Sequence, residues 1–359
     1  MTRISARELA GTEGPFGRGI DVRRPEDVPE GSVVTVLRVP PEVAGMRLDR
    51  FVQSQLKRTS RTRAQEIVAR GAYSPDARRL RSNDRVKSEQ CILLWRAPWD
   101  EHAPDLELPI LFEDDHLLAI DKPAGAPVHP TARYHSSTVV KRLEAARGGE
   151  RLMLAHRLDR ETSGVLLLSR TPEADRNVKM QFEGRAKRRG GPAGERVLKR
   201  YLAIVWGWPD WDSRRIDLPL ELCPTSRYKV KMRVGAGADA LAAATGCVVV
   251  GRRAHAVTGK RYALVECTLE TGRQHQIRVH LAATGTSVVG DKLYGPDEGL
   301  FARGADRVLT DEDRAVLEID RHALHAALLE LDHPVQGGRV RIEAPLPADL
   351  AGFWAALTD

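Results

Sequence analysis

From Ile110 onward the chain is a succession of short apolar runs: HLLAIDKP (116–123), GVLLLSR (164–170), YLAIVWG (201–207), CVVVGRR (247–253) and YALVECTLE (262–270). Each is strand-length, rich in β-branched or aliphatic residues and bounded by turn formers. Strand follows strand with few long helical stretches between, which argues against a doubly wound parallel sheet. The expectation is an α+β domain over 110–359 built on a mixed, mainly antiparallel sheet. Helical spacing is clear over Arg273–Ala283, ended by Gly285, and a second helix is read near Arg321–Leu329. Two basic, low-apolar insertions, Gly184–Arg200 and Gly235–Gly246, read as mobile loops that adjust substrate choice.

A different pattern precedes this region. Residues 1–30 are rich in Gly, Pro and charge and read as a flexible arm. Residues 31–98 read as a small α/β module. Ser32–Val39 is a strand. Leu48, Phe51, Val52 and Leu56 recur at helical spacing. Ser60 is placed to cap a second helix with Ala64, Ile67 and Val68 inward and Gly71 as its stop, and Val86–Trp95 closes the module as a strand. The proline-rich, acidic 99–109 reads as a linker.

Charge separates the two parts. Lys and Arg number 56 against 49 Asp and Glu, a net +7. Between Lys57 and Arg96 stand eleven basic residues and four acids, a surplus equal to that of the whole chain. Arg61 and Arg63 on the expected second helix, with the arginines of 78–85, make a candidate phosphate-contacting surface. The four cysteines, Cys91, Cys223, Cys247 and Cys267, form no CxxC pair, so neither a disulfide framework nor a zinc site is expected. No stretch has the length of a signal-peptide core or a membrane span, and the expectation is a cytoplasmic protein with no membrane partner.

The chemistry-bearing stretch is AHRLDRETSGVLLLSR (155–170). Asp159 lies between Arg157 and Arg160, just ahead of the apolar Val165–Leu168. A carboxylate beside cations stays ionised. Such a group is a poor general acid but can serve as a nucleophile or an electrostatic anchor, or simply pair with Arg157 or Arg160. A hydrolase would want a second acid, for which Glu161 is the near candidate. Ser163 lies in no GxSxG elbow. The spacings of His275, His280, His322 and His325 fit no metal-binding pattern, and no metal is expected.

HRLDRETSG resembles the catalytic motif of the RluA-type pseudouridine synthases, and four further segments are similar to that family in the same order. These are AIDKPAGAPVHP (119–130), KRYLAIVWG (199–207), LETGRQHQIRVHLAATGTSVVGDKLYG (269–295) and LHAALLELDHP (324–334). Residues 46–95 resemble more loosely the RNA-binding domain named after ribosomal protein S-four, with AYSPDARR where a Val-Asn-Gly turn is usual. The resemblance implies isomerisation of uridine in RNA, with no cofactor. It implies that Asp159 acts at the ribose anomeric carbon or assists departure of the base, and that Arg278 pairs with it. Tyr201 would stack on the flipped uracil, Arg157 would fill the vacancy in the stack, and Leu293 would belong to the apolar pocket wall. His156 is read as fixing the motif loop by a hydrogen bond. The implied partner is structured RNA, ribosomal RNA before transfer RNA, bound by a monomer. A factor that binds RNA without catalysis is the alternative.

Overall fold

The computed structural model describes residues 3–4, 22–30, 32–56, 59–97, 107–130, 134, 137–184 and 197–359. The chain divides into two compact units, Met1–His102 and Ala103–Asp359. Most of the expected flexible arm, most of the expected linker, most of the Gly184–Arg200 insertion, and Lys57 and Arg58 lie outside the described residues.

In the first unit β1 (Arg3–Ile4) pairs with β2 (Val22–Arg23), and β3 (Val33–Arg38) precedes α1 (Leu48–Gln55) and α2 (Arg61–Gly71). Then come β4 (Ala72–Tyr73) and β5 (Cys91–Arg96), and β5 lies between β3 and β4 in a three-stranded sheet. The cap of α2 is the expected one, with the Ser60 hydroxyl accepting from the Arg63 amide at 3.1 Å. Gly71 is the last residue of this helix, and only glycine fits there, because a Cβ would lie 1.9 Å from the Trp95 carbonyl oxygen. The helix pair buries Leu48, Phe51, Val52, Ala64 and Val68 on one face of the sheet. The closing strand begins at Cys91, five residues later than its β-rich sequence suggests, because residues 86–90 turn through a left-handed Glu89. Within 22–30, Val22 and Val28 pack with Val34, Tyr73, Leu93 and Trp95 on the other face, and the Tyr73 hydroxyl donates to Asp27 at 2.6 Å.

The second unit opens with β6 (Ile110–Glu113), β7 (Leu117–Lys122), α3 (Val139–Ala146), β8 (Met153–Leu154), β9 (Ser163–Ser169) and α4 (Pro172–Phe182). It continues with β10 (Leu198–Trp206), β11 (Ser213–Asp217), β12 (Leu220–Leu222), β13 (Met232–Val234), β14 (Ala244–Ala254), β15 (Arg261–Leu269) and α5 (Gln276–Ala283). Last come α6 (Gly299–Asp306), α7 (Asp311–Leu317), β16 (Leu324–Asp332), β17 (Arg339–Glu343) and α8 (Ala348–Ala355). One large mixed sheet runs in the order β11-β14-β15-β10-β16-β9-β7-β6, with β17 on β16 and β8 on β9. All its pairings are antiparallel except β16 with β9. The expected α+β class therefore holds.

Strand β9 explains its unbroken apolar run. Leu166 and Leu168 face α3 through Val139, Val140 and Leu143, while Val165 and Leu167 face α4 through Ala174 and Val178. Gly164 at the strand's start has φ +105°, and a Cβ there would sit 2.2 Å from the Ala326 carbonyl oxygen. Only glycine lets β16 approach so closely.

Three sequence expectations are corrected. The helix read near Arg321–Leu329 is strand β16, flanked by β10 and β9 and buried on both sides. A Leu- and Ala-rich run carries helical propensity, but burial on both faces of a sheet overrides it. Helix α5 starts at Gln276, not Arg273, since His275 adopts a left-handed conformation (φ 57°). Gly235–Gly246 is not an open loop: Leu241 exchanges backbone hydrogen bonds with Leu220, Ala243 is buried, and β14 begins at Ala244. Among the described residues no helix is long and apolar enough to cross a membrane.

Candidate active site

The 155–162 loop is held at several points before it enters β9. The Lys122 ammonium, wholly buried, donates to the carbonyls of Pro123 (2.8 Å), Ala126 (3.2 Å) and Arg160 (3.0 Å). The Gly125 amide donates to the same Arg160 carbonyl at 2.8 Å. The DKPAG segment thus fastens to the backbone beside Asp159. Burial pulls the Lys122 ammonium down to about 7. His156 fixes the loop's other end, accepting from the Leu167 amide at 3.0 Å and stacking on Phe182. Burial pushes His156 down to about 3, so it is a neutral acceptor. Thr162 and Ser163 are hydrogen-bonded to His322 and His325 at 2.7 and 2.9 Å.

Asp159 pairs with neither neighbouring arginine. Its cation is Arg278 on α5, whose Nη1 donates to Oδ2 at 2.8 Å. Arg278 is in turn held by a second carboxylate, Asp291, through Nε–Oδ2 at 2.6 Å and Nη2–Oδ1 at 2.8 Å. The amides of Leu293 (2.9 Å) and Tyr294 (3.0 Å) donate to Asp291 Oδ1. The guanidinium lies over the Tyr294 ring, 5.0 Å from its centroid. This bidentate fork fixes the plane of Arg278 and aims its remaining nitrogen at Asp159.

Exposure sorts these three groups. The side chains of Asp291 and Arg278 are 0% and 7% exposed, whereas that of Asp159 is 30% exposed. Asp159 is the member that opens to solvent. Burial alone would raise its carboxyl, but the facing groups His275, Arg278 and His322 outweigh this and hold it below the ordinary carboxylate range. Burial pushes His275 itself to about 4 and His322 to about 3. At neutral pH, therefore, Arg278 is the charge that keeps Asp159 ionised. The Tyr294 hydroxyl accepts from the Met232 amide (2.9 Å) and is hydrogen-bonded to His275 Nδ1 (2.8 Å). His275 Nε2 lies 3.8 Å from Asp159 Oδ1.

Tyr201, on β10, is buried in the core that also holds Leu166, Leu168 and Ile277. Burial, with Asp159's charge added, raises its phenol and keeps it protonated. Arg157 is exposed and makes no hydrogen bond or ion pair among the described residues. Arg160 reaches Glu161 at 3.3 Å. Glu161 is not an open second acid, because both its oxygens accept from the buried Lys292 ammonium at 3.0 Å. Leu293 is 1% exposed and packs with Leu220, Met232, Val279 and Tyr294, a position in the core beneath the site. Arg61 and Arg63 are exposed on α2; Arg63 pairs with Glu66 at 2.8 Å and Arg61 lies 3.7 Å from the buried Asp49.

Sequence reasoning missed Asp291, His275, Tyr294 and Lys122 as parts of this constellation. All four lie inside the quoted segments, and Asp291 carried a usable signal: the lone acid of the turn VVGDKLYG, after a helix bearing arginine.

Residues 116–283 match the RNA pseudouridylate synthase family. The chain is 32% identical over 329 residues to the ribosomal large subunit pseudouridine synthase D of Zymomonas mobilis, covering 86% of this chain and 93% of that one. It is 35% identical over 329 residues to the protein of that name from Xanthomonas campestris, with 89% and 92% covered. Among solved structures, human RNA pseudouridylate synthase domain containing 1 superposes with a TM-score of 0.53 at 25% identity, over 70% of this chain and 88% of that one. The motif order, the sheet that carries it and these likenesses agree: the chain belongs to the RluA-type RNA pseudouridine synthases.

Proposed function

We propose that Asp159 is the catalytic carboxylate and that the substrate is a uridine of ribosomal RNA, bound with help from the basic first unit. The observation that carries the catalytic part is the exposure gradient along Asp291–Arg278–Asp159. Two carboxylates share one guanidinium, so Arg278 holds Asp159 ionised without fully neutralising it. The carboxylate that faces the opening is left able to act on the ribose anomeric carbon or to assist departure of uracil. Uracil leaves as a stabilised anion, so no second acid is required, consistent with the engagement of Glu161 by Lys292. The base must leave its stack to reach Asp159. Arg157, exposed and without an ion pair among the described residues, suits the vacancy, and the neutral Tyr201 ring suits the face of the flipped base.

The RNA class rests on the names of the relatives and on the charge of the first unit. Helix α2 presents Arg61, Arg63 and Arg70 to solvent, and an S-four-like role for this unit would give a large folded substrate a second anchor. The test is a pseudouridine map of total RNA, by carbodiimide primer extension, from cells carrying the wild-type protein or Asp159→Asn. One or a few ribosomal sites should vanish in the mutant while the purified mutant still binds the RNA. An unchanged map would overturn the catalytic assignment; lost sites confined to transfer RNA would overturn the substrate class.

A further inference from the structure

We propose that Lys199 and Arg273 form a binding site for a phosphodiester of the RNA strand beside the Asp159 site. This deepens the proposed function and rests on it. Lys199 stands in β10 opposite Leu329 of β16, ahead of a register shift between Arg200 and Tyr201, and on the α4 side of the sheet. Its stem runs over Phe182, with Nζ 5.4 Å from the ring centroid. Phe182 is the ring on which His156 stacks, so the ammonium lies against the motif loop. Nζ is also 3.4 Å from the point a Cβ on Gly272 would occupy, which brings it to the backbone next to Arg273.

Among the described residues no carboxylate pairs with either cation. The Lys199 ammonium has no hydrogen bond and no ion pair among the described residues, although the residue is half-buried. Arg273 is fixed at two points, its backbone amide donating to Gln276 Oε1 at 3.0 Å and its Nε to the Ala242 carbonyl at 3.1 Å. No carboxylate pairs with the rest of its guanidinium among the described residues. Burial and the Arg273 charge together pull the Lys199 ammonium below its ordinary range. An ammonium that has lost water and faces a second cation is unfavourable by itself. An anion between the two would relieve both terms. Glycine at 272 keeps a side chain out of the space beside Nζ. A guanidinium fixed at Nε and a point-charge ammonium are the donor types that hold phosphate oxygens. In a protein that acts on RNA, the anion these donors would meet beside the target base is a backbone phosphodiester.

The test uses the full-length protein and a ribosomal RNA transcript that it modifies. Variants are Lys199→Met, which keeps the stem over Phe182, Arg273→Gln, and Lys199→Arg as the rescue. The Met and Gln variants should each raise KM for the RNA by about tenfold, with the loss falling on KM more than on kcat. Each should also flatten the slope of log Kd against log salt by about 0.7–0.9, the weight of one phosphate contact. Lys199→Arg should restore both. An unchanged salt slope in Lys199→Met, or a loss on kcat that Lys199→Arg does not rescue, would overturn the proposal in favour of a packing role. Failure of the wild-type protein to form pseudouridine in any RNA would instead sink the function on which the proposal rests.

Discussion

The histidines around Asp159 give the structure a testable acid sensitivity well above the carboxylate range. The side chains of His275 and His322 are only 10% and 3% exposed, and burial pushes their folded values to about 4 and about 3, against 6.5 for an ordinary histidine. The folded values are depressed, so the unfolded chain takes up protons below pH 6.5 that the folded chain refuses. Stability is therefore full above about pH 7 and falls as pH drops through 6.5. It stops falling, for each group, only below its folded value. At pH 5 each histidine accounts for ~2 kcal/mol of lost stability, ~4 kcal/mol for the pair. His156, His280 and His325 are shifted in the same direction. The carboxylates Asp159 and Asp291, both held below their ordinary values, add their own loss only at lower pH. Urea unfolding at pH 7 and pH 5 reads the effect through tryptophan fluorescence, since four of the six tryptophans lie in the second unit. The wild-type protein should lose at least ~4 kcal/mol between the two pH values, and His322→Gln about half the pair's share less. Equal stability at pH 7 and pH 5 would mean that these histidines bind protons in the folded state, and would refute the reasoning.

Two further outcomes follow from the site and from the first unit. Asp291 accepts four hydrogen bonds, and an amide cannot accept them all. Asp291→Asn should lower the melting temperature by roughly 10 °C and slow pseudouridine formation at least about tenfold by loosening Arg278; differential scanning calorimetry and a single-turnover assay read the two effects, and a wild-type melt would show that the fork is dispensable. Replacing Arg61, Arg63 and Arg70 with Gln should flatten the salt slope of RNA binding by about 2 without moving the modified uridine, as measured by filter binding across a salt series and by mapping of the product.

What could be read from the sequence was local. The Ser60 cap, the apolar face of α1 and the run Val165–Leu168 are each written in consecutive residues, and each forms as its spacing implies. The α+β class followed because strand-length runs repeat without long helices between them. What could not be read depends on partners far away in the chain. Arg321–Leu329 looks helical until β9 and β10 bury it from both sides. Val22 and Val28 look like isolated valines in a charged arm until Tyr73 and Trp95 supply the surface they cover. The site divides along the same line. Asp159 stands out because charge crowds around it, yet the crowding points to the wrong partners. Arg157 is left exposed, Arg160 turns to Glu161, and the cation that governs Asp159 comes from 119 residues away. Asp291 completes the logic: by holding two of Arg278's three donor nitrogens, it limits what the guanidinium can give to Asp159. A lone buried Arg–Asp pair would quench the carboxylate it holds. Shared between two carboxylates, of which one is sealed in the core and one is open, the same arginine positions the open one and leaves it with charge to spend on the ribose.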